Sequence, residues 1–431
     1  MILIYVDEVS KRLIYTLNIM FKARKIDFTA TNDLVRFVEY EGPKFVYSTR
    51  DFEENYLTFH PADILFEEVI KPQKIETYQW RGVEVFSFNG KPDLLGSVFY
   101  ALVMYDEYLS ESFDEHDRFM SKDSTLVKFD MLDKLMVERW SISFIEFLEE
   151  KLNTKLMPEN IPFVVMPTFD IDNTYAFKLK EGWRKWMSVG KDIFSFNKKR
   201  LNERKGVLED LKNDPYDTFE YIEEIAKRGF DVKIFWLLGD YAKYDRNISF
   251  NHPKHQRLIR KMSQFTTIGL HPSYRSDGVF SLINEEKNRI ETILGNPVEN
   301  SRQHYLKMKL PQTYRSLIKC GFKNDYTLGF ADTPGFRAGI ARPFPWFDLK
   351  NNTETDFILH PFTYMDGTLN EYQGLSIPEA KNKVGELASE VSKYGGNLIA
   401  IWHNETIGNY GKWNQWSEVL EHTLSFQKQK G

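Results

Sequence analysis

The sequence predicts an α/β fold: a distorted (β/α)7-type barrel over residues 156–431, preceded by a smaller mixed α/β unit over 1–155. Three observations carry this. Beyond the polar, proline-bearing stretch KLNTKLMPENIP, which places a boundary near Pro158, short apolar runs recur and each ends in polar residues. Helical patterns lie between several of them, such as Val279 to Leu294 and Pro378 to Tyr394, the latter with proline in its first turn and Gly395 after its end. Strands alternating with helices favour a parallel sheet, and seven such units favour a closed or nearly closed barrel.

In chain order the runs are VVMPTFDID (164–172), VKIFWLLGD (232–240), FTTIGLHPS (265–273), NPVENSRQH (296–304), NDYTLGFAD (324–332), DFILHPF (356–362) and NLIAIWHNE (397–405). Before the boundary, Ile2 to Tyr5, Lys44 to Tyr47 and Val83 to Phe88 read as strands. Asp93 to Leu109 reads as a helix with Asp93 at its N-cap, and about Met131 to Leu152 as a second, with apolar residues every third or fourth position.

Composition narrows the class. Apolar residues make up 42% and charged ones 28%, an ordinary globular balance that excludes a disordered chain. With 57 Lys and Arg against 62 Asp and Glu, the net charge of −5 argues against nucleic acid held by bulk charge. Cys320 is the one cysteine, which removes an intrachain disulfide and a Cys-rich zinc site and favours a reducing, cytoplasmic setting. The apolar N-terminal run is cut short at Asp7, too early for a secretory signal, and no stretch is long and apolar enough for a membrane span. The composition leaves the oligomeric state open.

In a βα barrel the strand C-termini converge on one mouth, so residues far apart in sequence share a site. Asp170, Asp172, His271, Arg302, Asp332 and His403 all fall at such ends. On an extended strand i and i+2 share a side, so Asp170 and Asp172 of TFDID face one site. One carboxylate suits a cation while the other takes a proton from water; an Asx-type cap of the next helix is the alternative use of the same pair. His271 and His403 suit a hydrolytic constellation, with His403 as general acid, although a lone histidine is as readily a structural residue. There is no G-x-S-x-G elbow and no phosphate-binding glycine loop. His252 and His255, in NHPKH, read as an exposed loop in preference to a metal pair. Asp114, His116 and Arg118 read as a salt-bridged turn or as a reach into the cleft.

Taken in order, these segments resemble the polysaccharide deacetylases, the NodB-like carbohydrate esterases, over roughly residues 160–405. FWLLGDYAKYD, GLHPSYRS, RQHYL, GFADTPGFRAG and IWHNET are similar to a bacterial, largely Bacteroidetes-type branch, and FYALVMYDEYL and DEHDRF to the N-terminal domain of unknown function found there. The resemblance implies Asp170 as base, Asp172 and His271 as ligands of a divalent metal (zinc, or cobalt, manganese or nickel), Arg302 as the residue orienting Asp170, and His403 as general acid. Asp332 or Asp325 corresponds loosely to a further catalytic aspartate. It also implies a carbohydrate substrate, with Tyr274, His304, Trp346 and Trp402 as candidate contacts. TFDID departs from the family by the inserted Ile171. Arg275 stands where the family has a second metal-binding histidine, leaving His304 or His360 to complete the ligand set. The implied activity is removal of acetyl groups from an N-acetylated sugar or glycan. The alternatives are a metal-independent hydrolase of another C–N bond and a catalytically silent glycan-binding protein.

Overall fold

The computed structural model describes residues 1–52, 56–180 and 198–427. Its first sheet is four-stranded and parallel, in the order β2-β1-β3-β4, with β1 Ile2–Val6, β2 Phe28–Thr31, β3 Lys44–Tyr47 and β4 Thr58–Phe59. A second, antiparallel sheet joins β5 Ile75–Trp80, β6 Val83–Phe88 and β7 Lys91–Pro92. Its tight turn places Arg81 and Gly82 at φ 50° and 80°, the left-handed geometry that matches hairpin twist. Asp93 caps the helix Leu94–Leu102 by accepting from the Gly96 N–H at 3.0 Å. The expected helix to Leu109 is broken at Met104, which is left-handed at φ 53°, and resumes as Tyr105–Leu109. The second expected helix spans Met136–Lys151.

The large sheet has nine strands in the order β13-β14-β12-β11-β10-β9-β8-β16-β15. They are β8 Phe163–Ile171, β9 Lys233–Leu237, β10 Thr267–His271, β11 Asn300–Ser301, β12 Asn324–Asp325, β13 Phe344–Asp348, β14 Thr353–Leu359, β15 Tyr364–Met365 and β16 Gly396–His403. All pairings are parallel except β13 with β14. The α/β class and the mostly parallel sheet match the expectation, but among the described residues no strand pairing closes that sheet into a barrel: it is edged by an antiparallel strand on one side and by β15 on the other. Residues 360–363 nevertheless carry the chain from β14 to the opposite edge. Phe362 donates its N–H to the Leu328 carbonyl and Thr363 to that of Ile399, so the sheet curls round without a closing ladder.

Alternation along the central strands sorts the faces. Val165, Phe169 and Ile171 of β8 and Leu398, Ala400 and Trp402 of β16 join the main core. Met166, Ile399 and Ile401 pack instead with Phe235, Tyr326 and Phe362 in a separate inner cluster. Helices sit on the outer face, among them Pro253–Met262. That helix corrects the loop expected around NHPKH. His252 is its N-cap, and His255 is buried, with Nε2 2.9 Å from the Trp236 indole nitrogen and 3.0 Å from Thr174 Oγ1. Burial pushes His255 down to about 4, as befits a neutral structural imidazole. Among the described residues, no helix is long and apolar enough to cross a membrane.

The first 155 residues share one core with the rest. Tyr15 and Phe99 pack on Phe347 at 5.0 and 5.4 Å between ring centroids, and Tyr15 donates its hydroxyl to the Pro345 carbonyl. Buried Glu138 is held between Arg24 at 2.6 Å and Arg342 at 2.8 Å, and Arg337 forks onto Glu107. Removing the N-terminal segment strips Arg337 and Arg342 of their carboxylates and uncovers Phe347. Residues 156–431 expressed alone are expected to be insoluble or to lack a cooperative melting transition; a monodisperse, folded fragment would show that this shared core is dispensable.

Candidate active site

The C-terminal ends of four parallel strands, drawn from the run of five neighbours β11-β10-β9-β8-β16, bring the reactive groups together. Strand β8 carries Asp170 as its last residue but one and leads to Asp172, β10 ends at His271, the segment after β11 carries Arg302 and His304, and β16 ends at His403. The β8–β16 register sets Asp170 beside His403. Because side chains alternate, Thr168 and Asp170 share the inner face with Met166.

Three groups converge on one point: Asp172, His271 and His304 each offer a ligand atom, all within 4.8 Å of one another. Nε2 of His271 lies 3.3 Å from Asp172 Oδ1, and Nε2 of His304 lies 3.3 Å from Oδ2. The other nitrogen of each ring is engaged. Nδ1 of His271 donates to the Arg302 carbonyl at 2.5 Å, and Nδ1 of His304 donates to buried Asp245 at 3.0 Å. Both rings therefore present an Nε2 lone pair inward when neutral, the arrangement that orients metal-ligating histidines. Asp172 Oδ1 is buried and accepts no hydrogen bond, an orphaned oxygen aimed at the same point.

Beside this cluster, Asp170 is buried and accepts from Arg302 Nη1 at 2.8 Å. Its Oδ2 lies 3.8 Å from His271 Nε2. His403 stands opposite, with Nε2 3.9 Å from Asp172 Oδ2 and Nδ1 donating to buried Asp366 at 2.9 Å. Asp366 also accepts from the His403 N–H and from the Thr406 hydroxyl.

Electrostatics follow from this crowding. Burial works to raise the Asp172 carboxyl, but His304, His271 and His403 outweigh it and hold it well below the usual carboxylate range. Burial works to lower His304, but Asp172 and Asp245 push it up to about 9. The same contest leaves His403 well above the usual imidazole value, with Asp366 the main opposing partner. Burial raises Glu405, on the wall of the same cavity, to about 7.

The cavity over these groups has a volume of about 250 Å³. That is below the about 300–1,000 Å³ of a pocket engulfing a drug-sized ligand, so it admits one small group and leaves the rest of a larger substrate outside. Exposed Tyr305 and Tyr372 edge it together with Arg118 from the N-terminal segment, and buried Leu306 and Trp413 line it deeper.

Other expected residues lie elsewhere. Asp332 is exposed and accepts from the Ser121 hydroxyl at 2.5 Å, outside the cavity. Asp325 is buried below the site, accepting from Ser301 and Thr327, and burial raises it to about 6. Trp402 is corrected from cleft wall to core: one residue before His403, it points to the opposite face of β16 and is fully buried. Trp346 is likewise buried, packed on Tyr314 at 5.4 Å. Tyr274 does not line the cavity; it packs in a ring cluster with Tyr244, His116 and Tyr305, of which Tyr305 lines it. His360 stacks on Tyr326 at 4.2 Å, away from the ligand cluster, and Arg275 is an exposed residue of the loop after β10. Asp245 and Asp366, which hold His304 and His403, escaped the sequence reading. Their one signal is a position a few residues beyond a strand end.

A family of unknown function (DUF7033) matches residues 2–153. No curated protein matches the chain. Among solved structures, the chain is similar to a protein from Mycobacterium smegmatis assigned to the polysaccharide deacetylases, at 14% identity and a TM-score of 0.40, covering 62% of this chain and 84% of that one. It is also similar to a polysaccharide deacetylase from Bacillus cereus (10% identity, TM-score 0.30, 61% and 87% covered) and to a family 4 carbohydrate esterase from Streptomyces lividans (10%, 0.29, 60% and 88%).

The loop after His271 makes stability depend on pH. Buried Glu286 accepts from the Ser273 N–H at 2.9 Å and its hydroxyl at 2.5 Å, and burial raises its carboxyl from 4.5 to about 7. A raised acid favours the folded state fully below about pH 4.5, and that contribution is lost as pH rises through 7. Unfolding free energy is expected to drop by on the order of 3 kcal/mol across this window through Glu286. Denaturant titrations at pH 5 and 8 should show a smaller drop for Glu286→Gln; equal drops would remove Glu286 as the source.

Proposed function

We propose that the chain is a metal-assisted hydrolase that removes acetyl groups from an N-acetylated sugar or glycan, related to the NodB-like deacetylases. In this reading residues 156–431 form a distorted, incompletely closed barrel that carries the chemistry, and residues 1–155 a mixed α/β unit that packs on it through a shared core. The observation that carries the proposal is the convergence of Asp172, His271 and His304 beside Asp170 and His403.

The donor set fits a divalent cation. One carboxylate and two imidazoles, each with its far nitrogen engaged and with an orphaned carboxylate oxygen among them, match the three protein ligands of a catalytic zinc that keeps a fourth position open. His304 thereby fills the role that Arg275 leaves vacant. A bound zinc, cobalt, manganese or nickel ion supplies Lewis-acid polarisation of the acetyl carbonyl and acidifies the attacking water.

The chain's own residues do the rest. Asp170, fixed by Arg302, accepts the proton of the attacking water on the oxygen nearer His271. His403, kept protonated by Asp366, donates to the departing amine nitrogen as the C–N bond breaks. Arg302 is a positioning residue: it is fully buried outside the lining of the cavity and donates to Asp170, Thr168 and the Tyr326 carbonyl. The cavity takes the acetamido group, and the glycan runs over the rim.

A second reading is a metal-independent hydrolase of another C–N bond. The Asp170–Arg302 and His403–Asp366 pairs favour it, since both are assembled by protein contacts alone.

Purified protein supplied with Zn²⁺, Co²⁺ or Mn²⁺ is expected to release acetate from N-acetylated amino-sugar oligomers. Asp172→Asn should lose both metal and activity, whereas His403→Ala should keep its metal and lose about 10²–10⁴-fold in kcat. Activity that survives exhaustive chelation and is lost in Asp170→Asn selects the metal-independent reading. No acetate from any acetylated amino sugar with any of these metals would sink deacetylation. Binding of these oligomers without turnover would point to a silent glycan-binding protein.

A further inference from the structure

Arg118 belongs to the segment matched by a family of unknown function, yet its side chain lines the candidate active-site cavity. The turn that carries it is tightly built. Asp114 donates its N–H to the Arg118 carbonyl, Asp117 is left-handed at φ 61°, and Phe113 bridges to Phe119. One oxygen of Asp114 accepts from the N–H groups of His116 and Arg118 at 2.9 Å, and the other from Arg118 Nε at 2.7 Å. The guanidinium thus reaches the cavity with its orientation fixed from behind.

Its outer edge meets the turn that holds a candidate metal ligand. Nη1 donates to the Tyr305 carbonyl at 2.9 Å, and Nη2 lies 3.4 Å from the Tyr372 hydroxyl. Tyr305 directly follows His304. Both Tyr305 and Leu306 are left-handed, at φ 61° and 53°. Consecutive non-glycine residues in that region cost on the order of 1–3 kcal/mol each and persist where the surroundings over-determine them. Leu306 is held below by the inner apolar cluster, and the Tyr305 ring is held above by His116, 4.8 Å between centroids. The Arg118 hydrogen bond fixes the peptide between them. Beside the Asp245 carboxylate on His304 Nδ1 and the His304 N–H on the Pro272 carbonyl, it is the contact that reaches this turn from the N-terminal segment.

We infer that the N-terminal segment completes the active site by clamping the His304 turn, with Arg118 as the positioning residue and Asp114 as its anchor. This rests on the metal-assisted reading above, and it gives the segment a task in the chemistry beyond packing.

The test uses the full chain. Arg118→Ala, Arg118→Lys and Asp114→Asn are compared with Arg81→Ala, an exposed control in the same segment paired with Glu150. Zn²⁺ affinity is measured by competition with a chromophoric chelator, Co²⁺ binding by its visible spectrum, and backbone protection of 303–307 by hydrogen–deuterium exchange in metal-free protein. Arg118→Ala is expected to bind Zn²⁺ about 10–100-fold more weakly, the range for removing a group that orients a ligand, with a shifted Co²⁺ spectrum and faster exchange at 303–307. Arg118→Lys should restore part of the affinity, and the control should match wild type. If Arg118→Ala does not fold, Arg118→Lys and Asp114→Asn carry the same readouts. A folded Arg118 variant with wild-type Zn²⁺ affinity and Co²⁺ spectrum overturns the clamp. Wild-type protein that binds no cation defeats the metal reading instead, and exchange then decides: unchanged protection in Arg118→Ala overturns the clamp too.

Discussion

One buried guanidinium, that of Arg302, joins the sheet to the chemistry. It has no exposure to solvent and lies over the Phe235 ring at 4.3 Å. Nη1 donates to Thr168 Oγ1 and Asp170 Oδ1, and Nε to the Tyr326 carbonyl. Its own carbonyl accepts from His271 Nδ1. Groups from β8, from the end of β10 and from the segment beyond β12 therefore all meet at this residue. Burying a lone cation costs several kcal/mol, so it is tolerable only with a carboxylate partner in good geometry and further hydrogen bonds. That requirement works in both directions. Asp170 must face inward to satisfy Arg302, and Arg302 keeps Asp170 in place as a proton acceptor next to the ligand cluster.

The strict alternation of β8 and β16 explains what was legible in the sequence. Asp170 and Asp172 are two residues apart, and their shared side follows from strand geometry before any tertiary contact is known. The same rule, applied to β16, separates Trp402 from His403, because neighbours on a strand face opposite ways. Strand-end placement likewise marked His271 and His403. His304 had no such rule behind it. The strand before it is two residues long, and the chain then enters consecutive left-handed residues that have no glycine to announce them. Asp245 lies in a loop and Asp366 opens the helical turn directly after β15, positions where an aspartate is as readily a turn former or helix cap as a partner for imidazole.

The count of strand–helix units foretold a parallel sheet but not its closure. Closure depends on which strands form the edges. Here β13 folds back antiparallel on β14, and residues 360–363 move the chain to the far edge before β15 begins. Neither event has a periodic signature, since β12 and β15 each contribute only two residues to the ladder and β15 lies beyond the apolar run that ends at Phe362.

Docking of the N-terminal segment depends on the same desolvation logic as Arg302. Glu138 is completely buried between Arg24 and Arg342, Glu107 forks onto Arg337, and Glu390 forks onto Arg139. Apolar surfaces alone permit sliding, because dispersion and burial are nearly indifferent to small shifts in register. Buried ion pairs are not indifferent, since a displaced partner leaves an unpaired charge in a low-dielectric interior. We read these pairs as fixing one geometry between the two halves while adding little to the net stability of the interface. That geometry holds the turn at residues 114–118 against the cavity rim. A segment with no catalytic motif of its own thus donates a hydrogen bond to the backbone carbonyl of Tyr305, the residue that follows a candidate metal ligand.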